Sequence, residues 1–407
     1  MLHSKQRGYG FLTAVFFLIL FLQGSQKGFA GEQSFQQWLN DFYTTAAEQG
    51  ISRSTYDRAF AQVHYPDPRV LAKAHYQPEF KSTIWNYLDA RVNPRSIQTG
   101  HNMHQLHRQT LQSVEKKFGV RSEVILAIWS METSYGRVLK KKSRLHYIPQ
   151  ALATLAYADK KRAKYARTQL VAALKIVQAG DVGLAGLTGS WAGAMGHTQF
   201  IPTSYLAYGV DMNGDGRRDI WNTVSDALAT AANLLAENGW QTGKTWGYEV
   251  LAPANGILYK GQTRTLKQWQ QMGFVRTAHR LFPRPDDRAE LRFPAGPNGP
   301  AFLMLRNFFV LKRYNNSDFY ALAVGMLADR LAGGKGLVQS WPRPPGSLDI
   351  EEKFALQRRL KELGYYNGEI DGSIGKETKR AIRLVQRLHG KRQTGEADQD
   401  FLKLIAR

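Results

Sequence analysis

The chain has 407 residues, of which 55 are lysine or arginine and 33 are aspartate or glutamate, for a formal net charge of +22. The length suggests two to three domains, and the composition of 43% hydrophobic and 22% charged residues excludes collagen-like and wholly disordered chains. The lack of cysteine excludes disulfides, thiolate zinc sites, a cysteine nucleophile and a lipid attached through cysteine. The positive charge favours an acidic partner, which composition alone leaves open between nucleic acid, anionic lipid and an anionic cell-wall polymer.

The first thirty residues have the pattern of a secretory signal. Lys5 and Arg7 precede an apolar run at 11–22, and Gly28 and Ala30 have the small-x-small arrangement of a cleavage site. The run is shorter than the roughly 20 residues of a membrane-spanning helix, although an uncleaved N-terminal anchor is the alternative interpretation. Because an exported protein rarely meets nucleic acid, a cell-wall polymer is the favoured partner.

Helix-spaced apolar residues predict a mostly helical region from about residue 35 to 316, with a short stretch of strands inserted. The predicted helices are 122–135, 150–179, 225–238 and 317–332, and the predicted N-caps of three of them are Ser122, Ser225 and Ser317. The predicted strands are 248–251, 289–293, 301–305 and 308–311. Glycine and proline mark 333–347 as a linker before a separate compact unit at 348–407. The fold class that follows is α+β, predominantly α.

Positive charge is concentrated in the segment 137–167, which contains ten lysines and arginines and one acid, Asp159. One interpretation is a solvated helix face. The other is a surface that captures an anionic polymer beside an active site, and the sequence supports the two equally.

Glu132 lies on the apolar face of the most informative predicted helix. Ile125, Ile128 and Trp129 precede it by seven, four and three residues, so all four side chains share one face. Burial beside such residues raises the pKa of a carboxyl group, and a protonated carboxylic acid can protonate a glycosidic oxygen. Glu132 is therefore the candidate catalytic acid. The alternative is a buried glutamate that only caps another helix or pairs with an arginine.

A run of small residues from Gly189 to Pro202 allows a backbone or a ligand to approach closely. Ser190 and Gln199 add a hydroxyl and an amide to this run, and with nearby aromatic rings they are typical of a sugar cleft. A tight contact between helices is the alternative for the small residues. His197 has no ligand partner at a useful spacing, so a structural or rim position is expected.

Residues 211–217 have the D-x-N-x-D-G opening of a calcium loop. Position 12 is Asn222 and not the bidentate glutamate of an EF-hand, so Asp219 or Asp226 would have to complete the coordination shell. A structural Ca²⁺ that pins the loop between two helices is the favoured interpretation, and an Asx-rich turn without an ion is the alternative. The predicted metal ligands are Asp211, Asn213, Asp215, Arg217 and Asp226.

Four segments carry a recognisable series of motifs: METSYGR at 131–137, GSWAGAMGHTQFIPTSY at 189–205, DMNGDGRRDIW at 211–221 and RYNNS at 313–317. In this order they resemble the membrane-bound lytic transglycosylase B family, over about residues 34–332, the predicted catalytic domain. The resemblance implies a goose-lysozyme-like catalytic core, mostly helical, with a small β subdomain. It also implies cleavage of the MurNAc–GlcNAc β-1,4 bond of peptidoglycan without water, which leaves a 1,6-anhydroMurNAc end.

The resemblance further implies that Glu132 is the single catalytic residue. It would protonate the leaving oxygen and then, as a base, take the proton of the C6 hydroxyl as that group attacks C1, unlike the two-carboxylate scheme of most glycosidases. No cofactor is implied for the chemistry. The residues that match the family's substrate cleft are Tyr87, Ser190, Gln199, Tyr314, Asn315 and Tyr320.

The tail has two apolar helix faces, formed by Leu356, Leu360 and Leu363 and by Ala381, Ile382, Val385 and Leu388. Segments 356–365 and 371–375, with Gln386 and Gly395, resemble the three-helix peptidoglycan-binding module of many wall enzymes. The alternative is a small helical domain without a ligand.

The favoured function is that of an exported lytic transglycosylase with a wall-binding tail, tethered through the linker. It is expected to be periplasmic, and not a lipoprotein because it has no cysteine. The murein sacculus is the expected partner, with cell-wall synthesis proteins as further candidates, no nucleic acid, and a monomeric state. The alternatives are a hydrolytic muramidase on the same fold and a non-catalytic wall scaffold.

Overall fold

The computed structural model of the chain describes residues 33–75 and 82–406. The predicted secretory signal at 1–30 lies outside this part. Within the described ranges, no helix combines the length and the apolar character needed to cross a membrane. Helices dominate the described residues and are joined by small sheets, so the predominantly helical α+β class is confirmed.

The helices of the described residues are α1 (Phe35–Glu48), α2 (Arg53–Phe60), α3 (Pro68–His75), α4 (Ile84–Asp89), α5 (Pro94–Leu106), α6 (Arg108–Phe118), α7 (Ser122–Thr133), α8 (Ile148–Ala158), α9 (Ala163–Gln178), α10 (Pro202–Tyr208), α11 (Val224–Glu237), α12 (Leu266–Gln271), α13 (Arg306–Tyr314), α14 (Asp318–Leu331), α15 (Ile350–Glu362), α16 (Lys376–Leu388) and α17 (Gln399–Ile405). The strands are β1 (His146–Tyr147), β2 (Thr188–Gly189), β3 (Gly247–Leu251), β4 (Thr263–Thr265), β5 (Val275–Arg276), β6 (Arg288–Arg292) and β7 (Ala301–Met304).

Helix α7 lies at the centre of the main core, because the six consecutive residues 124–129 are all buried. It packs against α5, α6, α11 and α14. Its apolar residues therefore face neighbours on every side, and Glu132 lies near its C-terminal end.

Of the three predicted N-caps, Ser317 is confirmed, since its hydroxyl accepts the backbone N–H of Tyr320 at 3.3 Å at the start of α14. Ser122 is not an N-cap. It is the first residue of α7, and its hydroxyl and backbone N–H both donate to Oε2 of Glu115, at 2.7 and 3.0 Å. Ser225 is also wrong as a cap, because α11 begins one residue earlier.

The segment predicted as one helix at 150–179 is two helices, α8 and α9. Between them, Oδ1 of Asp159 accepts the backbone N–H groups of Lys161 and Arg162, at 3.0 and 3.2 Å. This local hydrogen bonding replaces helical hydrogen bonds and turns the chain, so that the two helices pack against each other.

The inserted sheet is antiparallel, with the strand order β4-β6-β7-β3-β5. The predicted strands 248–251, 289–293 and 301–305 are confirmed to within one residue as β3, β6 and β7. Strand β7 is central and buried on both faces, because Phe302 and Met304 join the main core while Ala301 and Leu303 join a second core. The sheet is thus packed directly on the helices.

The predicted strand at 308–311 is wrong, because these residues lie in α13. Phe308 and Leu311, three residues apart, are both buried, which is the spacing of a helix face. The short strands β4 and β5 escape sequence-based prediction because they have too few residues for a visible alternation of polar and apolar side chains.

Helices α15, α16 and α17 surround a third core, to which Leu356, Leu360 and Ile382 contribute. The prediction that Leu363 and Leu388 also belong to the buried faces is wrong, since they are 38% and 59% exposed. Leu363 follows the last residue of α15, and Leu388 is the last residue of α16. Both therefore lie at helix ends outside the core.

The segment 333–347 lies against the inserted sheet. The carboxylate of Glu249 on β3 accepts the backbone N–H groups of Val338 and Gln339, at 2.9 and 2.8 Å. These contacts hold the segment along a defined path.

A cluster of ionic contacts fixes the tail beside α4 and α5. Arg343 donates to both carboxylate oxygens of Asp89, at 2.6 and 2.9 Å, and Nζ of Lys353 lies 2.9 Å from the same group. Asp89 is buried, so the three charges are partly shielded from water. A further ion pair of 2.7 Å joins Arg95 of α5 to Glu369 of the tail.

Candidate active site

Glu132 is the penultimate residue of α7. Neighbouring atoms enclose its carboxyl group almost completely, and this burial raises its pKa from 4.5 to about 7. Two neighbours oppose the shift: the hydroxyl of Tyr320, which donates a hydrogen bond of 2.7 Å to Oε1, and the positive charge of Arg91. A carboxyl group with this pKa can act as an acid and as a base near neutral pH.

Two stacked tyrosines form the wall next to Glu132. The rings of Tyr314 and Tyr320 are 6.2 Å apart and within 8° of parallel, and the Tyr314 hydroxyl donates to the carbonyl oxygen of Thr198 at 2.6 Å. Burial raises the pKa of both hydroxyls well above the usual range, and the charge of Glu132 adds to the effect. Both tyrosines are therefore neutral hydrogen-bond donors.

Tyr87 lies near the acid, and the structure adds Arg91, which sequence analysis misses. The guanidinium of Arg91 sits 3.8 Å from the centre of the Tyr87 ring. The pKa of Tyr87 is raised by burial and by the charge of Glu132, so the three groups are close. The spacing of four residues between Tyr87 and Arg91 is the signal in the sequence that could have indicated the pair.

Ser190 and Gln199 lie in the loop that follows β2, and neither forms a hydrogen bond to Glu132 in the described part of the chain. The hydroxyl oxygen of Ser190 accepts the backbone N–H of Ala194 at 2.9 Å, which leaves its own proton free to donate. Gln199 has a positive φ of 52°, and its amide nitrogen donates to the carbonyl oxygen of Gly196 at 3.0 Å. Its side-chain oxygen is thus left to accept a hydrogen bond.

Asn315 is exposed at the C-terminal end of α13. Its carbonyl oxygen accepts the backbone N–H of Ser317 at 2.7 Å. It is therefore next to the Tyr314 wall in the chain but is not joined to Glu132.

A hydrogen-bonded floor supports the end of α7. Trp129 Nε1 donates to Nδ1 of His197 at 3.1 Å, and the Thr133 hydroxyl donates to the His197 carbonyl oxygen at 2.6 Å. Burial lowers the pKa of His197, which keeps the imidazole neutral and able to accept. His197 thus has the structural position expected of it.

The chain turns sharply after Glu132, two residues earlier than predicted. Ser134, Tyr135 and Gly136 have consecutive positive φ angles of 51°, 58° and 81°, a conformation that is strained for the two non-glycine residues. At Gly136, a Cβ atom would lie 2.6 Å from the His197 ring, so the turn requires glycine. The turn ends α7 one residue after Glu132.

Beside this turn is a cleft of about 660 Å³, a volume typical of ligand sites, lined by Met131 and Ser134. Glu132 itself is enclosed by its neighbours and is not among the residues that line this cleft. The basic lining residues of the cleft are Arg91, Arg95, Arg137 and Lys140, and its acidic ones are Glu369 and Asp371 of the tail. The tail therefore forms part of the cleft wall.

The predicted basic cluster at 137–167 divides between two places. Arg137 and Lys140 border the cleft. Lys161 and Arg162 border a separate depression beside α3, where the guanidinium of Arg162 lies 5.6 Å from the Trp191 ring. The first part of the cluster thus lies at the cleft beside the end of α7, and the second part does not.

The 211–217 loop is a network of Asx turns. The two carboxylate oxygens of Asp211 accept the N–H groups of Gly214 and Gly216, at 2.7 and 2.8 Å. Asp215 accepts the side-chain amide of Asn213 at 3.0 Å and the backbone N–H of Arg217 at 2.9 Å.

Asp226 lies buried at the start of α11 and accepts the N–H groups of Met212 and Asp219, both at 3.0 Å. Burial raises its pKa, and the charge of Asp211 contributes. Across residues 33–75 and 82–406, no three or more acidic or histidine side chains converge in a way that could hold a metal ion. The oxygen donors suit Ca²⁺ chemically, and the carboxylates of Asp211 and Asp215 are bonded to backbone N–H groups of the loop.

The fold and the site define an enzyme with a lysozyme-like helical core that acts on peptidoglycan. A family model described as a transglycosylase SLT domain matches residues 34–329, and one described as a putative peptidoglycan binding domain matches residues 352–405. The chain belongs to the SLT-domain family of lytic transglycosylases, so the predicted family, fold and enzyme class are confirmed.

Three similar proteins illustrate the match. The membrane-bound lytic murein transglycosylase B of Escherichia coli (strain K12) is 31% identical over 257 residues, which cover 63% of this chain and 69% of that one. SltB3 from Pseudomonas aeruginosa, in complex with NAG-anhNAM-pentapeptide, is 41% identical with a TM-score of 0.73, covering 92% of this chain and 100% of that one. Escherichia coli Slt35 in complex with calcium is 28% identical with a TM-score of 0.62, covering 75% and 94%.

Proposed function

We propose that Glu132 alone catalyses cleavage of the MurNAc–GlcNAc bond, first as an acid and then as a base. In the first step its carboxyl proton passes to the glycosidic oxygen and the C1–O bond breaks. In the second step the carboxylate accepts the proton of the C6 hydroxyl while that oxygen bonds to C1. This closes the 1,6-anhydro ring and restores the acid, and the net reaction consumes no water.

The hydrogen bond from Tyr320 to Glu132 is the observation that carries this proposal. Because the tyrosine donates to Oε1, Oε2 is the oxygen left to carry the carboxyl proton. The raised pKa of Tyr320 keeps it a donor, so it stabilises the carboxylate that remains after the first proton transfer. Burial favours the protonated form of Glu132, and the hydrogen bond from Tyr320 favours the carboxylate form. The resulting pKa of about 7 suits both steps.

The electrostatic surroundings of Glu132 also support a mechanism with a single catalytic carboxyl group. Glycosidases that hydrolyse with two carboxylates hold them about 5 to 9.5 Å apart. The side chains that act on the pKa of Glu132 are those of Tyr320 and Arg91, and neither is a carboxyl group. A two-carboxylate mechanism is therefore disfavoured. The remaining alternative, a hydrolytic muramidase that uses Glu132 and a water molecule, is distinguished from a transglycosylase by the product analysis below.

We assign sugar contacts to the polar and aromatic residues near Glu132. Tyr87 and Tyr314 offer rings, and Ser190 and Gln199 each keep one unused hydrogen-bonding group, as described above. The SltB3 complexes with NAG-anhNAM-pentapeptide and NAG-NAM-pentapeptide support a peptide-bearing disaccharide as the unit recognised. The residues assigned to substrate binding are Tyr87, Ser190, Gln199, Tyr314, Asn315 and Tyr320.

The division of the chain follows from these assignments. We propose residues 34–332 as the catalytic unit, 333–347 as the connecting segment and 348–407 as the wall-binding unit. The N-terminal segment 1–30 is proposed to direct export, so that the enzyme meets the sacculus in the periplasm as a monomer.

We also propose that the 211–217 loop binds a structural Ca²⁺, with the side chains of Asp211, Asn213, Asp215 and Asp226 and the backbone carbonyl oxygen of Arg217 as ligands. The calcium complex of Slt35 and the repulsion between Asp211 and Asp226 support this, since a cation would relieve the repulsion. Addition of chelator should lower the melting temperature, and added Ca²⁺ should restore it. A melting temperature that responds to neither would leave the loop as an Asx turn.

The catalytic proposal is tested on purified sacculi. Mass spectrometry should find disaccharide products lighter than the hydrolytic ones by the mass of one water. Glu132→Gln should abolish their release while binding to sacculi persists, whereas Glu123→Gln, on the same helix, should release them at the wild-type rate. Hydrated products would indicate a muramidase, and full clearing by Glu132→Gln would indicate that the residue is not catalytic.

A further inference from the structure

A second groove lies on the tail, separate from the catalytic cleft. It is formed between the loop 364–367 and the exposed face of α16 and has a volume of about 690 Å³. Arg380, Arg383 and Arg387 line it from the helix, and Tyr365 lines it from the loop. Its size is that of a ligand site.

The charge of this groove is strongly positive. The three arginines are at i, i+3 and i+7 of α16, on the face opposite its buried residues, and all three are exposed. Within the described residues none of them forms an ion pair. Glu377 is the one acidic residue in the lining, so the guanidinium groups outnumber carboxylates and are free to bind an anion.

One wall of the groove is held rigid by Gln386, a buried residue of α16. Its side chain donates to the hydroxyl of Thr394 at 2.9 Å and accepts the backbone N–H of Gly395 at 3.0 Å. Arg383 lies directly against Gly395, where an added Cβ would come within 2.9 Å of its Nε. The guanidinium is thus placed by packing, which reduces the entropy lost when a ligand binds.

The opposite wall is fixed by Tyr366. Its ring is buried in the tail core and its hydroxyl donates to the carbonyl oxygen of Glu369 at 2.7 Å. The same loop connects the two sites, because Asn367 lines the arginine groove while Glu369 and Asp371 line the catalytic cleft. The loop that lines the groove therefore continues into the wall of the cleft.

We propose that this arginine groove binds the carboxylate groups of the peptide stems of peptidoglycan. Guanidinium groups form paired, charge-assisted hydrogen bonds with carboxylates, and a peptide stem ends in a carboxylate whereas the glycan sugars offer hydroxyl and amide groups. The inference rests on the proposed function, because it names the part of the wall that the tail recognises.

The test measures binding of the full chain to sacculi by co-sedimentation. The groove variant combines Arg380→Gln, Arg383→Gln and Arg387→Gln, and the control variant combines Arg358→Gln, Lys361→Gln and Lys376→Gln, which removes the same charge from exposed positions of the tail outside the groove. Each is measured on intact sacculi and on bare glycan, from which an amidase has removed the peptides and whose exposed lactyl carboxylates have then been converted to amides. We expect the groove variant to bind intact sacculi at least about tenfold more weakly than the control, and both to bind the bare glycan equally.

A second measurement needs no variant. A soluble peptide with a free C-terminal carboxylate should displace the wild-type chain from sacculi, and its C-terminal amide should do so about tenfold less well. The proposal would be overturned if the two peptides competed equally, or if the groove and control variants lost the same binding to intact sacculi. It would also be overturned if the groove variant bound bare glycan more weakly than the control. If instead the wild type forms no anhydro ends, the proposed function fails, whichever result the binding assay gives.

Discussion

The hydroxyl of Tyr320 lies 2.7 Å from Oε1 of Glu132, although 188 positions separate the two residues in the chain. The contact exists because α14 packs along α7, so that the first turn of one helix meets the last turn of the other. It sets the acidity of the site, since the enclosure of the carboxyl group alone would raise its pKa still further.

Tyr320→Phe should therefore raise the pKa of Glu132 above about 7 and slow turnover. Loss of the donor destabilises the carboxylate, and a hydrogen bond to a charged group is worth about 1.5–3 kcal/mol, which corresponds to roughly a 10- to 100-fold decrease in kcat. The pH profile of kcat measures both effects, and its alkaline limb should move to higher pH. An unchanged alkaline limb with a lower rate would show that Tyr320 supports the fold and does not tune the acid.

Glu132→Gln should increase stability while it abolishes activity. The folded pKa of Glu132, about 7, lies above the ordinary 4.5, so its contribution to stability is complete below about pH 4.5 and is lost as the pH rises to 7. The free energy of unfolding of the variant should therefore exceed that of the wild type by about 3 kcal/mol at pH 8 and by almost nothing at pH 4.5. Urea unfolding at the two pH values measures this, and a gain that does not depend on pH would contradict it.

The buried pair of Asp67 and His146 should make the protein sensitive to acid. Nδ1 of His146 lies 2.8 Å from Oδ2 of Asp67, and burial lowers the pKa of the imidazole, with the charges of Lys73 and Arg69 adding to the effect. Because the unfolded histidine takes up a proton near pH 6.5 and the folded one does not, its contribution is lost as the pH falls below that value.

His146→Gln removes this titration. Since Glu132 changes stability in the opposite direction over part of the same range, the informative quantity is the difference between wild type and variant. Between pH 7.5 and 5.5, the free energy of unfolding of the wild type should fall by about 1 kcal/mol relative to that of His146→Gln. A constant difference across this range would show that His146 has the same pKa in the folded and unfolded chain.

Asp89→Ala should release the tail from the helical core. The substitution leaves Arg343 and Lys353 without their carboxylate, and removal of one partner from a shielded ionic cluster costs about 3 kcal/mol. Small-angle scattering should show a longer molecule, and proteases should cut within 333–347 more quickly. Glu362→Ala is the control, because its pair with Arg359 is exposed and its loss should leave both measurements unchanged.

Sequence analysis succeeded where the information is local. The apolar spacing around Ile125, Ile128 and Trp129 predicts α7 and puts Glu132 on its buried face, because a helix repeats every 3.6 residues whatever surrounds it. It failed where the local pattern is ambiguous. The segment 308–311 is apolar enough for a strand or a helix, and only its packing against the main core selects the helix α13.

The amino-acid sequence by itself determined the predominantly helical class, the family motifs and the position of the acid on its helix. Tertiary structure decided what surrounds that acid: Tyr320 and Arg91 reach Glu132, and Glu369 of the tail reaches the neighbouring cleft, from distant parts of the chain. The physical reason is that periodicity and capping act within a few residues, whereas a pKa depends on burial and on charges brought together by packing. Those distances exist only once the whole chain is folded.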